Sequence, residues 1–420
     1  MNAPNNNTRE LKDLLRRPSV RRLLLSRAAG NSGAVTLAIA NGVFVFGITG
    51  RELDLGLVGL AEFAPTFLLA PWAGSLADRL DRRRMAAIGY VAEAAVAITI
   101  ALYAASGRTA VWPIFALTLC YGTARGFVNP PTRALPANVV SREELPRLIP
   151  LLSFAWQASA VVAPLLASAV YGLGPEWAFV SIAALNVFAA LTISGVQLRG
   201  DVDPPEQRRG FRVAFEGLAL VRRTPLLLAA IGLDLFAVLL GGVIALAPAI
   251  SDELLGASES TAFWMRSAGG VGAAATAYAL ARRPITRKVG PRLLQAVAVF
   301  GLLTIAVGFS RNLVLTIALF AALAAADMIS VFVRATIVPL ATPDSLRGRV
   351  LAVEAVFIGA SNELGAFESG ITAEWMGLQA AIVVAGAATL VVVAVFAIAV
   401  PDLRRLDRFE EVTPAEPEPN

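Results

Sequence analysis

Twelve apolar stretches, each about 18 to 25 residues long and separated by short polar loops, restrict this chain more than any other feature. A run of that length matches a hydrocarbon core roughly 30 Å thick, where every backbone amide and carbonyl must be satisfied inside its own segment, so each run is expected to be a helix. The approximate spans are 23–46, 54–77, 86–105, 111–137, 148–172, 176–197, 225–250, 260–281, 291–309, 312–341, 350–373 and 376–400. The fourth and tenth are long enough to imply tilt or an extension beyond the membrane. Composition agrees: 56% of residues are hydrophobic and 16% charged, against about 25% charged in a soluble domain. The expectation is an all-α membrane protein.

The basic residues set its orientation. One set of loops carries Arg79, Arg82, Arg83, Arg84, Arg147, Arg199, Arg222, Arg223, Arg282, Arg283, Arg287, Lys288, Arg347 and Arg349 among others, while the opposite set carries only Arg51, Arg108 and Arg311. Both ends of the chain join the basic side, as an even number of spans requires. Both termini are therefore expected in the cytoplasm of a bacterial inner membrane protein, with residues 1–22 as a tail lacking a cleavable leader. The longest polar interruption, 198–224, divides the spans into 23–197 and 225–400. Within it, Phe211 to Arg223 has the apolar spacing of a helix lying along the membrane surface. The last segment, 401–420, ends in an acidic, proline-containing run that reads as a disordered cytoplasmic tail.

Several chemistries are excluded. The chain has no histidine and one cysteine, Cys120, so a disulfide framework, a Cys/His metal site, a Ser-His-Asp triad and a Cys-His dyad are ruled out. It has no phosphate-binding Gly-Lys-Ser/Thr loop and no soluble domain for nucleotide hydrolysis, so any active transport must draw on an ion gradient. No cofactor and no nucleic-acid partner are implied.

Residues Gly74 to Met85 read GSLADRLDRRRM, which concentrates acids and arginines in one loop. Gly74, Asp78, Arg79, Arg82 and Arg83 fit the G-x-x-x-D-R-x-G-R-R/K pattern between the second and third helices of the major facilitator superfamily, which the chain resembles over nearly its whole length. Asp81 stands where the family has its second glycine. The resemblance implies twelve helices in two pseudo-symmetric six-helix bundles, a small-molecule substrate and a monomer. It also implies a conformational latch in which Asp78 meets the start of the eleventh helix near Arg349. In purely physical terms, Gly74 permits a close helix contact and the arginines anchor topology. Two longer blocks, beginning YGTARGFVNPPTRALPANVV and DMISVFVRATIVPLATPDSLRGRV, resemble the fourth and fifth, and the tenth and eleventh, helices of the drug and siderophore exporters, the group that includes the enterobactin exporter. Ala163-Pro164 replaces the Gly-Pro usual in the fifth-helix antiporter motif.

Charges inside a span cost about 2.5–3.5 kcal/mol on insertion scales, so each calls for a partner or a task. Glu62 and Asp234 are isolated among apolar neighbours and need a cavity or a partner from another helix. Asp327 and Arg334 lie seven residues apart, about two helical turns, and so share a face. Glu363 lies in the glycine-rich SNELGAFESG, where a buried carboxylate would have the chemistry of a proton carrier. Glu368 and Glu354 are further intramembrane acids, Glu354 reading as a structural ion pair with Arg347 or Arg349. Arg125 occupies the position of the family's fourth-helix arginine, with structural pairing to Glu62 or Glu93 as the alternative. Arg27 is near enough to the basic side to snorkel. Aromatic residues including Phe63, Phe67, Trp72, Tyr121 and Trp264 are candidates to line an apolar cavity or to anchor the interface.

These features favour a secondary transporter, not an enzyme, that exchanges protons for an amphipathic organic compound, a siderophore or a drug, by alternating access. The resemblance supplies the direction of export. A membrane-embedded enzyme acting on lipid would need an interfacial acid cluster on long loops, and a sensor or passive channel would work without a proton gradient.

Overall fold

The computed structural model describes residues 13–141, 143–199, 211–258, 260–343 and 346–414, and among these it contains helices and turns but no strand. Helix ends are set by local chemistry. Proline at the first or second position starts α1 (Pro18–Thr49), and Gly50, at φ 60, ends it by donating its amide to Phe46 O at 2.7 Å, which is the usual left-handed C-terminal stop. α2 (Glu52–Arg79) and α3 (Arg82–Ala105) follow, then α4 (Trp112–Ala134), α5 (Leu145–Tyr171) and α6 (Pro175–Ser194). The long fourth segment is two pieces: α4 ends at Ala134 and a short helix, Pro136–Val139, continues it, because Pro136 has no amide to extend the ladder.

The later helices are α7 (Pro225–Leu240), α8 (Ser260–Arg282), α9 (Val289–Phe309), α10 (Leu313–Leu340), α11 (Arg347–Met376) and α12 (Leu378–Ala399). Asn312 caps α10 by accepting the Leu315 amide at 3.0 Å. Nine described helices have the length and apolarity to cross a membrane, and α7, with the helix bent against it, makes a tenth. α4 and α8, at 23 residues each, are as long but fall outside that apolar set, each carrying an internal arginine, Arg125 and Arg266, among glycines and threonines.

Contacts divide the chain into two compact units, Met1–Gly50 with Leu57–Pro204, and Arg51–Gly56 with Pro205–Asn420. In the first, α1 packs on α5 and α6, and α3 on α4 and α6; in the second, α7 packs on α11 and α12, and α9 on α10 and α12. The second unit thus repeats the pairing order of the first, six helices later.

Three regions depart from the sequence expectation. The seventh span does not run unbroken over 225–250: α7 stops at Leu240, Gly241 and Gly242 enter a turn, and helix resumes only at Ala247–Ala249 and a π-turn over Ile250–Leu254. The described part of the segment after Pro401 is not a disordered tail: Leu403, Leu406 and Val412 are buried in the second unit's core and the amides of Val289 and Gly290 donate to Asp407 O and Leu406 O at 3.2 and 3.0 Å, while 415–420 lie outside the described residues. Arg27 does not reach out to the surface; its guanidinium donates to Thr132 Oγ1 at 2.8 Å inside the first unit. The helix expected over 211–223 is present, and its Gly217–Arg223 part is bent 102° from α7.

Candidate functional site

The arginine-rich loop after α2 is built into the first unit. Asp81 accepts the amides of Arg83 and Arg84 at 2.9 and 3.4 Å, which makes it the N-cap of α3. Its carboxylate also clamps the Arg83 guanidinium at 2.7 Å, and that hydrogen bond holds Asp81 below the usual aspartate range. Where the family has a flexible glycine, this chain has a cap. Arg82 reaches Asn138 Oδ1 at 2.6 Å and Ala77 O at 3.3 Å, while Arg83 reaches Val196 O at 2.8 Å. Asn138 is a hub, since its carbonyl also accepts the Arg199 amide at 2.9 Å. The two arginines therefore tie the start of α3 to the ends of α4 and α6. Arg79 is exposed, and the side chain of Asp78 lies outside the described residues. The close contact expected at Gly74 is not formed: a Cβ there would meet no described atom within 4 Å. Replacing Asp81 with alanine is expected to cost about 1 kcal/mol in the cap alone, and with glycine only a few tenths. Denaturation of the purified variants should give that order.

Glu144 performs a second tie. It accepts Arg17 at 2.6 and 3.0 Å and the Ser141 amide at 3.1 Å, with Arg199 at 4.0 Å. The Arg17 hydrogen bonds hold Glu144 at about 2, down from 4.5. A depressed carboxylate stabilises the fold above its unfolded value, and here the gain is lost as pH falls from 4.5 towards 2. Wild type should therefore melt above Glu144→Gln at pH 7, with the gap closing as pH falls below about 4.

Deeper in the first unit, a polar core surrounds Arg125. Its guanidinium lies 3.7 Å from Glu93 Oε1 and 3.4 Å from Gly30 O. Glu93 is fully buried, and neither of its carboxylate oxygens has a hydrogen-bond partner among the described residues. Tyr121 and Glu62 are close enough to act on both members of the pair. The Tyr121 hydroxyl accepts Asn186 Nδ2 at 3.3 Å, so this aromatic belongs to the polar core and not to an apolar lining. Glu62 is half-buried where α2 meets α4, and Thr66, one turn on, donates to Gly122 O at 2.7 Å. Two acids thus share Arg125. In the sequence Glu93 stands out only as a candidate partner for Arg125; the clearer signal is its place in the small-residue face Ala86, Gly89, Ala97, where a helix presses on its neighbours.

The second unit has its own cluster. Asp234 on α7, with no charged neighbour in sequence, finds Arg334 of α10 at 2.7 Å, both almost fully buried. Arg334 also donates to Ser330 Oγ at 3.3 Å. Asp327 and Glu354 act on the same guanidinium, and Asp234, Asp327 and Ser330 line a narrow cavity with Phe300 and Val297. Three carboxylates therefore gather on one guanidinium. If all were ionised, the surplus negative charge would sit in a medium of low dielectric, and protons can neutralise it. Glu354 joins this cluster rather than standing as a separate surface pair. Glu363, half-buried nine residues farther along α11, is about 13 Å of helical rise away and outside it.

Comparison with known proteins agrees with this architecture. Over 216 residues, 50% of this chain and 51% of the relative, the sequence is 24% identical to macrolide efflux protein A of Streptococcus pyogenes, so the match spans about half the length of that relative. Among solved structures, the chain is similar to a bacterial homologue of the human lysosomal transporter Spinster in an inward-facing, occupied conformation (TM-score 0.70, 13% identity, 91% of this chain and 97% of that one). It is also similar to a mutant of the nucleoside transporter NupG (TM-score 0.73, 12% identity, 90% and 99%). At these identities the likeness concerns the fold. The pattern of one family covers residues 14–419, and the chain belongs to that family, the transmembrane secretion effectors of the major facilitator superfamily.

Proposed function

We propose that this transporter exports amphipathic organic compounds across a bacterial inner membrane in exchange for protons, with both termini cytoplasmic and a monomer as the working unit. The observation that carries the reading is the buried Glu93, whose carboxylate has Arg125 at 3.7 Å, Tyr121 nearby, and no hydrogen bond of ordinary geometry among the described residues. A carboxylate this poorly satisfied is a place where a proton can be held and released. The Asp234–Arg334 cluster, with Asp327 and Glu354, supplies a second site of surplus acid. In an alternating-access cycle, protonation of such acids neutralises the carboxylate, frees the nearby arginine from its counter-charge and biases one conformation over another.

The half-length similarity to a macrolide efflux protein makes a macrolide the first compound to assay, with a lipophilic cation and a catecholate siderophore beside it. In cells lacking their own efflux pumps, expression of this protein should lower accumulation of at least one of these compounds, and a protonophore should restore it. Accumulation unchanged by expression for every compound would remove the export reading.

A further inference from the structure

The break in α7 leaves backbone groups without helical partners. A helix continuing past Leu240 would pair Leu239 O with the Val243 amide, but that amide turns to Gly241 O at 2.7 Å. Leu240 O likewise loses the i+4 partner of an unbroken helix. The broken end lies against α11: a Cβ on Gly365 would sit 2.6 Å from Val238 O and 3.0 Å from Leu239 O, and one on Gly242 would sit 2.6 Å from Ser369 Oγ. Only glycine permits this approach, so both glycines are part of the geometry.

A cavity opens beside the break, walled by Leu240, Val243, Glu368, Ser369, Thr372 and residues of α12. Its polar lining comes almost entirely from α11. Ser369 is 4% exposed, and its hydroxyl has no hydrogen-bond partner among the described residues. Glu368 presents a half-buried carboxylate whose described contact is the Thr372 hydroxyl at 2.7 Å. That same hydroxyl also faces Glu368 O at 2.8 Å, so its single proton is shared. The site thus combines one carboxylate, two side-chain hydroxyls and the Leu240 end of α7, whose carbonyl has lost its helical partner, with no arginine among the lining residues. Oxygen donors around one negative charge at a helix break are the donor set of a small, hard, monovalent cation.

We propose that the cavity at the α7 break binds a sodium ion, held by Glu368, Ser369 and the Leu240 carbonyl that ends α7. The site is separate from the Arg125 and Arg334 clusters and does not rest on the export reading. A cation bound only to the folded protein raises its melting temperature with concentration. The test uses purified full-length protein in detergent at pH 8, with sodium chloride titrated against choline chloride at constant ionic strength. Sodium should raise the melting temperature by about 3 °C at about 100 times its dissociation constant, and Glu368→Gln and Ser369→Ala should each abolish most of the rise. Glu93→Gln should retain it. Should Glu368→Gln fail to fold, Ser369→Ala carries the comparison, supported by binding of radioactive sodium to the wild type. Equal melting in choline and sodium overturns the proposal, as does an undiminished rise in Ser369→Ala or Glu368→Gln. Because the readout is melting and not flux, failure here leaves the export reading intact, and failure of export leaves this one intact.

Discussion

Arg334→Ala is expected to be the most damaging single substitution in the second unit, costing about 3–5 kcal/mol, the range for removing one partner of a buried ion pair. Arg334 sits 2.7 Å from Asp234 and also faces Asp327 and Glu354. Deleting it leaves acids from three helices inside the second unit without the guanidinium they share. The change should lower the melting temperature of the purified protein and its yield from membranes. Adding Asp234→Asn to Arg334→Ala should recover part of the loss, because it removes one of the stranded charges; residues in contact give such non-additive effects. Asp234→Asn alone should cost less than Arg334→Ala, since Arg334 keeps Asp327 and Glu354. If Arg334→Ala melted like the wild type, the cluster would not be a working charge network.

The second large effect is on transport and leaves the fold in place. Glu93→Gln replaces a fully buried carboxylate with an amide of nearly the same shape. It removes the desolvation cost of an ion, and Arg125 keeps Glu62 within electrostatic reach. The variant should express normally and melt close to the wild type. Gradient-driven export should nevertheless fall to the level of membranes without the protein, while Glu93→Asp, which keeps an ionisable group, should retain part of it. Loss of export together with loss of folding would instead give Glu93 a structural task.

Much of the architecture was legible before any coordinates. The span placed at 54–77 is the helix Glu52–Arg79, and the helix placed over Phe211 to Arg223 begins and ends there. Apolar length and amphipathic spacing are local signals, and lipid enforces them because no unpaired backbone is tolerated. The break in α7 was hidden because Gly241 and Gly242 lie in a run as apolar as an unbroken helix; the broken end is where α11 approaches at Gly365 and Ser369, a contact between distant parts of the chain. The order of 401–414 was missed for a similar reason: charge dominates its composition, yet Leu403, Leu406 and Val412 find a core supplied by other parts of the chain.

The site residues divide along the same line. That Asp234 needed a partner followed from burial cost alone, whereas the identity of Arg334, far away in sequence, is a tertiary fact. Asp327 and Arg334 share a face because helical geometry places them there. Topology and a family pattern single out Arg82 and Arg83, and their bonds to Asn138 and Val196, which only the fold supplies, also fasten them within one unit. Asp81, a departure from the family's glycine, serves as the cap of the following helix.

The most direct test of proton-coupled export is proton movement itself. Wild-type protein and Glu93→Gln would be reconstituted into liposomes containing a pH-sensitive dye, and the compound found to be exported would be added with no imposed gradient. The account predicts that the compound drives protons across the membrane in the opposite direction in wild-type liposomes, and that Glu93→Gln and empty liposomes give no signal. Compound crossing the membrane without any proton signal, or an equal signal in Glu93→Gln, would contradict it.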